Sequence, residues 1–233
     1  MSSLLFYKNP VPLDKEKHKN LKIKKLDDLS FAADTNSVPL AGFEFFQCSR
    51  HHPVMFIKNS SGDFIPIAVL SLTSKGHNLG ARWDDVYVPS FVRRYPFVLE
   101  DKNGLVMIDS ESENLQEEEG DPLFKDDGEP AEALQNIMRF LESVDRGYKQ
   151  TQEYIKALLA KDLLQPCKGV IKFTDTAMKL EHLYVVEEKA FAEALSDEEI
   201  VDWFKKGWIA WTYAHIHSIS ALTNVVKRLP KKD

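Results

Sequence analysis

Seven histidines, two cysteines and one stretch that mixes arginines with aromatics are the side chains in this chain with most scope for chemistry. His51 and His52 are neighbours just ahead of Pro53. Adjacent side chains on extended backbone point to opposite faces, so the pair makes a poor chelate. His215 and His217 are separated by one residue on an expected helix, where they point about 200° apart and cannot share a metal. His215 lies on a stripe with Trp208, Ile219 and Leu222, which places it in the core as a hydrogen-bonded residue. Cys48 and Cys167 are far apart and form no CxxC, the pattern of free, buried thiols in a reducing compartment. GxGxxG, GxxxxGK[ST], HExxH and GxSxG are all missing, as is a 2-His-1-carboxylate set. Asp109, Glu111 and Glu113 alternate as calcium ligands would. The position that needs glycine is Asn114, however, and the twelfth position, which needs a bidentate glutamate, is Gly120. No catalytic residue, metal or cofactor is therefore assigned from the sequence.

The remaining candidate is RWDDVYVPSFVRRYPFVLE, residues 82–100. It gathers Trp83, Tyr87, Phe91, Tyr95 and Phe97 around Arg82, Arg93 and Arg94. Pro89 can start a short helix, and Pro96 disfavours helix at Tyr95, so PSFVRRY reads as one or two helical turns whose N-terminus would suit an anion. Two readings stand. The aromatics form a corner of the core, with the arginines paired to Asp84, Asp85 or the acidic stretch that follows. Alternatively, the block is a recognition surface, because Trp, Tyr and Arg offer large contact area, stacking and a forked donor. The second reading makes Trp83, Tyr87, Arg93, Arg94 and Tyr95 the ligand- or partner-binding residues.

The elements that must position these groups fall into two halves. PVMFIKN (53–59) and DFIPIAVLSL (63–72) flank a turn containing Gly62 and form a hairpin, with Pro66 marking an edge or a bulge. FVLE and LVMID flank DKNG and form a second hairpin. Residues 109–132 are strongly acidic and read as a solvated loop. Apolar residues then recur with helical spacing over residues 131–164 (Leu134, Ile137, Met138, Leu141, Val144, Tyr148, Ile155, Leu158 and Leu159), and Gly147 is a candidate bend or break. GVIKFT and LEHLYVV read as a strand pair across DTAMK. SDEE (196–199) is a capping box opening a helix that Gly207 ends, and a last helix covers residues 208–229. The expected fold is α+β: a hairpin-rich antiparallel sheet, a long helix, a short strand pair and C-terminal helices packed on it. The expectation is a single domain over residues 1–233, with a sub-boundary near residue 130.

The 233 residues are 43% hydrophobic and 28% charged, with a formal net charge of −6. That balance argues against phosphate-backbone binding, so no nucleic-acid partner is expected. The N-terminus lacks a secretory pattern, and residues 208–226 are too polar for a membrane span. A cytoplasmic protein without membrane insertion is expected.

FYKNPVPLDKEKHKNLKI, FAADTNSVPLAGFEF, FIPIAVLSL followed by RWDDVYVPSFVRRYPFVL, GDPLFKDDGEP, and WIAWTYAHIHSISALTNVV occur in this order. Together they resemble the bacterial SapC family, named for an S-layer-associated locus and distinct from the peptide-transporter permease that shares the name. The resemblance covers about residues 6–229. It implies a bacterial protein with a link to surface-layer biology, and it brings no catalytic residues. The sequence thus points to a non-catalytic binding or accessory protein that recognises a peptide, a protein or a small anionic ligand through the aromatic–arginine block. Two alternatives stand beside it. One is an enzyme of unrecognised type using His51, His52 or His215 with carboxylates brought together by the fold. The other is a structural subunit that forms a homodimer through its aromatic C-terminal helix.

Overall fold

A carboxamide and a glycine build the first hairpin. Asn59 accepts the backbone N–H groups of Ser61 and Asp63, both at 2.9 Å, and Gly62 takes φ +87°. That turn sets strand Val54–Lys58 against Phe64–Val69 in the register Val54 to Ala68 through Lys58 to Phe64. The structure is a computed structural model that describes residues 4–73, 76–100, 103–168, 170–173, 176–180 and 182–229. Its antiparallel sheets and helices make an α+β fold, as expected. The chain gathers into two compact units. The first takes Met1–Ala33, Gly80–Arg82 and Ser90–Arg146, and the second Asp34–Leu79, Trp83–Pro89 and Gly147–Asp233.

In the second unit the hairpin is the middle of a five-stranded sheet. Its order is Leu164–Pro166, Tyr184–Val186, Val54–Lys58, Phe64–Val69, Ser37–Pro39. Two expectations are corrected here. Pro66 is neither at an edge nor in a bulge: its strand is interior, and it faces Phe56. The Pro66 carbonyl accepts from Leu40, just past the end of strand Ser37–Pro39. The N–H that proline lacks would therefore point to where that neighbour strand ends, so little of the ladder is lost. The strand pair is also partnered differently. Val170–Phe173 pairs with Thr176–Lys179, and Tyr184–Val186 joins the large sheet instead. Gly169, Thr174 and Glu181, which that reading included, lie outside the described residues.

Alternation along Val54–Lys58 divides its side chains between two faces. Met55 packs with Ile67 and Val69, joined by Ile57, Ile65, Val185 and Ile219. Phe56 turns to Phe45 and to His215, with ring centroids 6.3 and 5.0 Å away. Helix Trp208–Ser218 lies against this sheet, and His215 joins the two. Its Nδ1–H donates to the Val54 carbonyl at 2.7 Å, and its Nε2 accepts from Val186 N–H at 3.0 Å. His217, two residues on, is exposed. The expected capping box opens helix Asp197–Lys205, with Glu199 N–H to Ser196 Oγ at 3.3 Å and Ser196 N–H to Glu199 Oε2 at 2.9 Å. Gly207, at φ +76°, follows it.

Gly147 neither bends nor breaks the long helix, which is continuous over Glu132–Ala160. The glycine is there for space: a Cβ at this position would run into the Phe43 ring. One turn on, the Thr151 hydroxyl donates to the Gly147 carbonyl at 2.6 Å and accepts from Gly42 N–H at 2.7 Å. Intrinsic propensity favours alanine over glycine in a helix by about 1 kcal/mol. Overpacking a filled site costs about 1–3 kcal/mol. Gly147→Ala is therefore expected to lower the melting temperature despite its better propensity. A melting temperature equal to or above wild type would show that the ring yields freely.

The first unit carries the second hairpin, Phe97–Leu99 with Val106–Asp109, and Pro10–Pro12 pairs on the outer side of Val106–Asp109. Phe97, Ile108, Leu123, Phe124, Leu134 and Leu141 form its core. The acidic stretch is more ordered than a plain loop. Leu115–Gln116 and Asp121–Pro122 pair on either side of Lys22–Ile23, and Lys24 bridges to Glu119 at 2.9 Å. Residues 117–122 remain exposed, as their charge requires. Asp109 is buried at the end of its strand. It accepts N–H groups from Asn9 at 2.9 Å and Lys8 at 3.0 Å, together with the Tyr95 hydroxyl at 3.0 Å. No helix among the described residues is long and apolar enough to cross a membrane.

Candidate functional site

The two units divide the aromatic–arginine block between them. Trp83 and Tyr87 belong to the second unit; Arg93, Arg94 and Tyr95 belong to the first. In the first unit the expected short helix forms as Ser90–Arg93, right after Pro89, and its first three residues are buried. Arg94 is buried with its guanidinium 4.2 Å from the centroid of the Phe91 ring. Tyr95 stacks on Phe31 at 4.2 Å and gives its hydroxyl to Asp109. Burial pushes its phenol pKa up. Arg93 is exposed, over the Phe140 ring at 5.2 Å.

In the second unit the chain takes an unusual path. Trp83 has φ +49° and Asp85 φ +57°, in the left-handed region that glycine and asparagine prefer. Such a conformation costs about 1–3 kcal/mol for an ordinary residue and persists only where neighbours enforce it. The neighbours here are rings. Trp83 is buried edge-on to His77 at 4.8 Å and to His52 at 6.0 Å. Its Nε1 has no hydrogen-bond partner among the described residues.

Tyr87 is held at both ends. Its hydroxyl donates to Glu44 Oε1 at 2.7 Å, and its carbonyl accepts from His52 Nε2–H at 2.9 Å. Burial drives the His52 pKa down to about 3, so this ring is neutral at neutral pH. Glu44 is fully buried and also takes the Ala41 N–H at 3.2 Å. These bonds fix one wall of a recess of about 450 Å³, made by Asp85, Val86 and Tyr87. Phe46, Gln47, Arg50 and His51 make the other wall. Helix Phe45–Cys48 and the turn after it present them, leaving Phe46 65% exposed. The Arg50 guanidinium lies 5.9 Å from the Phe46 ring centroid and has no ion pair among the described residues. Burial first, then Arg228 and Arg50, lower the His51 pKa, which leaves Arg50 as the cation of this wall near neutral pH.

His51 and His52 sit in the turn that follows helix Phe45–Cys48, not on the extended backbone expected. The His51 and His52 rings lie 6.4 Å apart, with His51 lining the recess and His52 buried behind it. His215 is a core residue, fully buried. Among the described residues no three His, Cys, Asp or Glu side chains stand together as a metal site. Phe46, Glu44 and Arg50 were not singled out from the sequence. The available signal was the i, i+4 spacing of Phe46 and Arg50, which aligns a ring and a cation on a helical turn.

No curated protein and no solved structure matches the chain. The family model SapC matches residues 13–225, a span that takes in both walls of the recess. The chain belongs to the SapC family.

Proposed function

We propose that this SapC-family chain is a cytoplasmic, non-catalytic binding or accessory protein, and that it recognises a peptide or small anionic ligand through the recess that Tyr87 of the aromatic–arginine block forms with Phe46 and Arg50. The observation that carries this reading is the recess between Phe46–Arg50 cation and ring on one side and the doubly held Tyr87 on the other. A wall fixed before binding loses little freedom on binding, and a guanidinium without an ion pair among the described residues, beside the exposed Phe46 ring, suits a carboxylate or phosphate attached to an apolar group. The strained backbone at Trp83 and Asp85 supports the same reading, since strain of this kind collects at ligand clamps. Trp83 acts as the support behind the wall. Arg93, exposed in the first unit, is the control position.

The test is a thermal-shift panel of carboxylates, phosphates and short peptides on wild type, Arg50→Ala and Arg93→Ala. A ligand at a hundred times its dissociation constant adds about 2.7 kcal/mol to stability. The expected result is a shift in wild type and in Arg93→Ala that disappears in Arg50→Ala. A shift lost only in Arg93→Ala moves the site to the first unit. No shift with any probe removes the small-ligand reading.

A further inference from the structure

The aromatic C-terminal helix, the element expected to pair subunits, buries Trp208, Thr212, Ala214, His215 and Ser218 and leaves Tyr213 44% exposed. Three further exposed apolar side chains of the second unit stand together on the neighbouring helix Asp197–Lys205. Phe204 is 74% exposed, Val201 53% and Ile200 44%. Trp203, on the opposite face, is the buried anchor that fastens this helix to Trp208 and Phe191, at 5.3 and 6.0 Å. The exposed apolar face is therefore surplus to folding, and large apolar side chains in a contiguous exposed group mark contact surfaces.

The charges on the same helix choose the occupant. Glu199 is engaged by Lys161, and Asp202 by Lys206. Asp197, Glu198 and Lys205 have no ion pair among the described residues. Two acids thus stand at one end of the exposed face and one base at the other. At 1.5 Å per residue, Asp197 and Lys205 are about 12 Å apart along the axis, with Val201 half-way. At 100° per residue, all of these side chains fall within about 100° of Val201 around the helix.

We infer that a second copy of this chain docks on this face, helix Asp197–Lys205 crossing its equivalent antiparallel about a two-fold axis beside Val201. In that arrangement each Lys205 meets the partner's acidic first turn, and Phe204 packs toward the partner's apolar centre. The surface is self-complementary, as a two-fold interface requires. It is also small beside the roughly 1,200–2,000 Å² of a stable complex, so the dimer forms in the micromolar range or weaker.

Sedimentation velocity from about 1 to 300 µM tests this on the full chain. Wild type should pass from monomer to dimer across that range. Phe204→Asp and Lys205→Glu should each weaken dimerisation at least tenfold, with unchanged circular dichroism. The swap Glu198→Lys with Lys205→Glu keeps self-complementarity and should restore the dimer. A protein that stays monomeric at every concentration overturns the inference. So does a dimer indifferent to Phe204→Asp, or a double swap no better than Lys205→Glu alone. Capture of a different protein by this face while the chain stays monomeric overturns the choice of partner.

Discussion

Replacing His215 with alanine should cost about 3 kcal/mol or more of folding stability. The imidazole is fully buried and uses both ring nitrogens on backbone of two adjacent strands, Val54 and Val186. Truncation strands a buried carbonyl and a buried N–H, each costing about 1–3 kcal/mol, and leaves a cavity beside Phe56. Chemical denaturation of wild type and variant reads this directly, and a loss below about 1 kcal/mol would contradict the account. The same group makes stability depend on pH. Burial lowers its pKa from 6.5 to about 4. Between those values the unfolded chain binds the proton and the folded chain does not, so acidification favours unfolding. The contribution is complete above pH 6.5 and is lost as pH falls through about 4. For a fully buried ring that is about 3 kcal/mol. His52, lowered to about 3, acts in the same direction. Wild type should therefore lose stability steeply between pH 6.5 and 4, and His215→Phe should lose less over that range.

Asp109 holds the equivalent position in the first unit. Its carboxylate accepts from Asn9 N–H on Oδ1, and from Lys8 N–H and the Tyr95 hydroxyl on Oδ2, so it ties the N-terminal segment to the hairpin. Asp109→Ala leaves several donors facing an empty site, and a loss of about 3 kcal/mol or more is expected. Asp109→Asn separates charge and bonding from shape. The two backbone N–H groups approach different oxygens, so an amide must turn its own NH2 toward one of them. The asparagine variant should therefore also be clearly destabilised, by about 2 kcal/mol. Equal stability of Asp109→Asn and wild type in urea would refute this. Burial raises the Asp109 pKa, but the hydrogen bonds from Asn9, Lys8 and Tyr95 outweigh it and the net shift is downward. Its stabilisation is present above the ordinary carboxylate range and disappears as pH falls through the lowered value.

Local signals in the sequence carried well into the structure. The two hairpins, the capping box at Ser196 and the helix start after Pro89 each depend on a few neighbouring residues, and each formed. His215 was placed correctly because an apolar stripe on a helix is also a local pattern. Features that depend on distant partners were not legible. Tyr184–Val186 follows Thr176–Lys179 along the chain yet pairs with Leu164–Pro166 and Val54–Lys58. Two-residue strands in an acidic stretch have no period to detect; Lys22–Ile23, far upstream, brings them into register. Tyr154, outside the residues expected on the apolar stripe, is fully buried and bonds Thr212 at 2.9 Å. It sits four residues before Leu158, so the helical spacing did contain it. The block of residues 82–100 looked like one cluster because it is continuous in sequence. Tertiary pairing divides it, and the recess takes its cation from Arg50, which only the fold brings opposite Tyr87.

The left-handed backbone at Trp83 and Asp85 also sets the terms for any attempt to engineer this protein. A search for thermostable variants would reach these two positions early, because glycine adopts their dihedral angles freely and asparagine tolerates them better than most. Relaxing Asp85 would remove a carboxylate from the recess lip, and relaxing Trp83 would remove the buried ring that braces the segment. On the proposed reading of the recess, thermostability would compete with recognition at Asp85 on its lip and at Trp83 behind it, and a chain optimised for heat alone would end with a smoother, less selective surface.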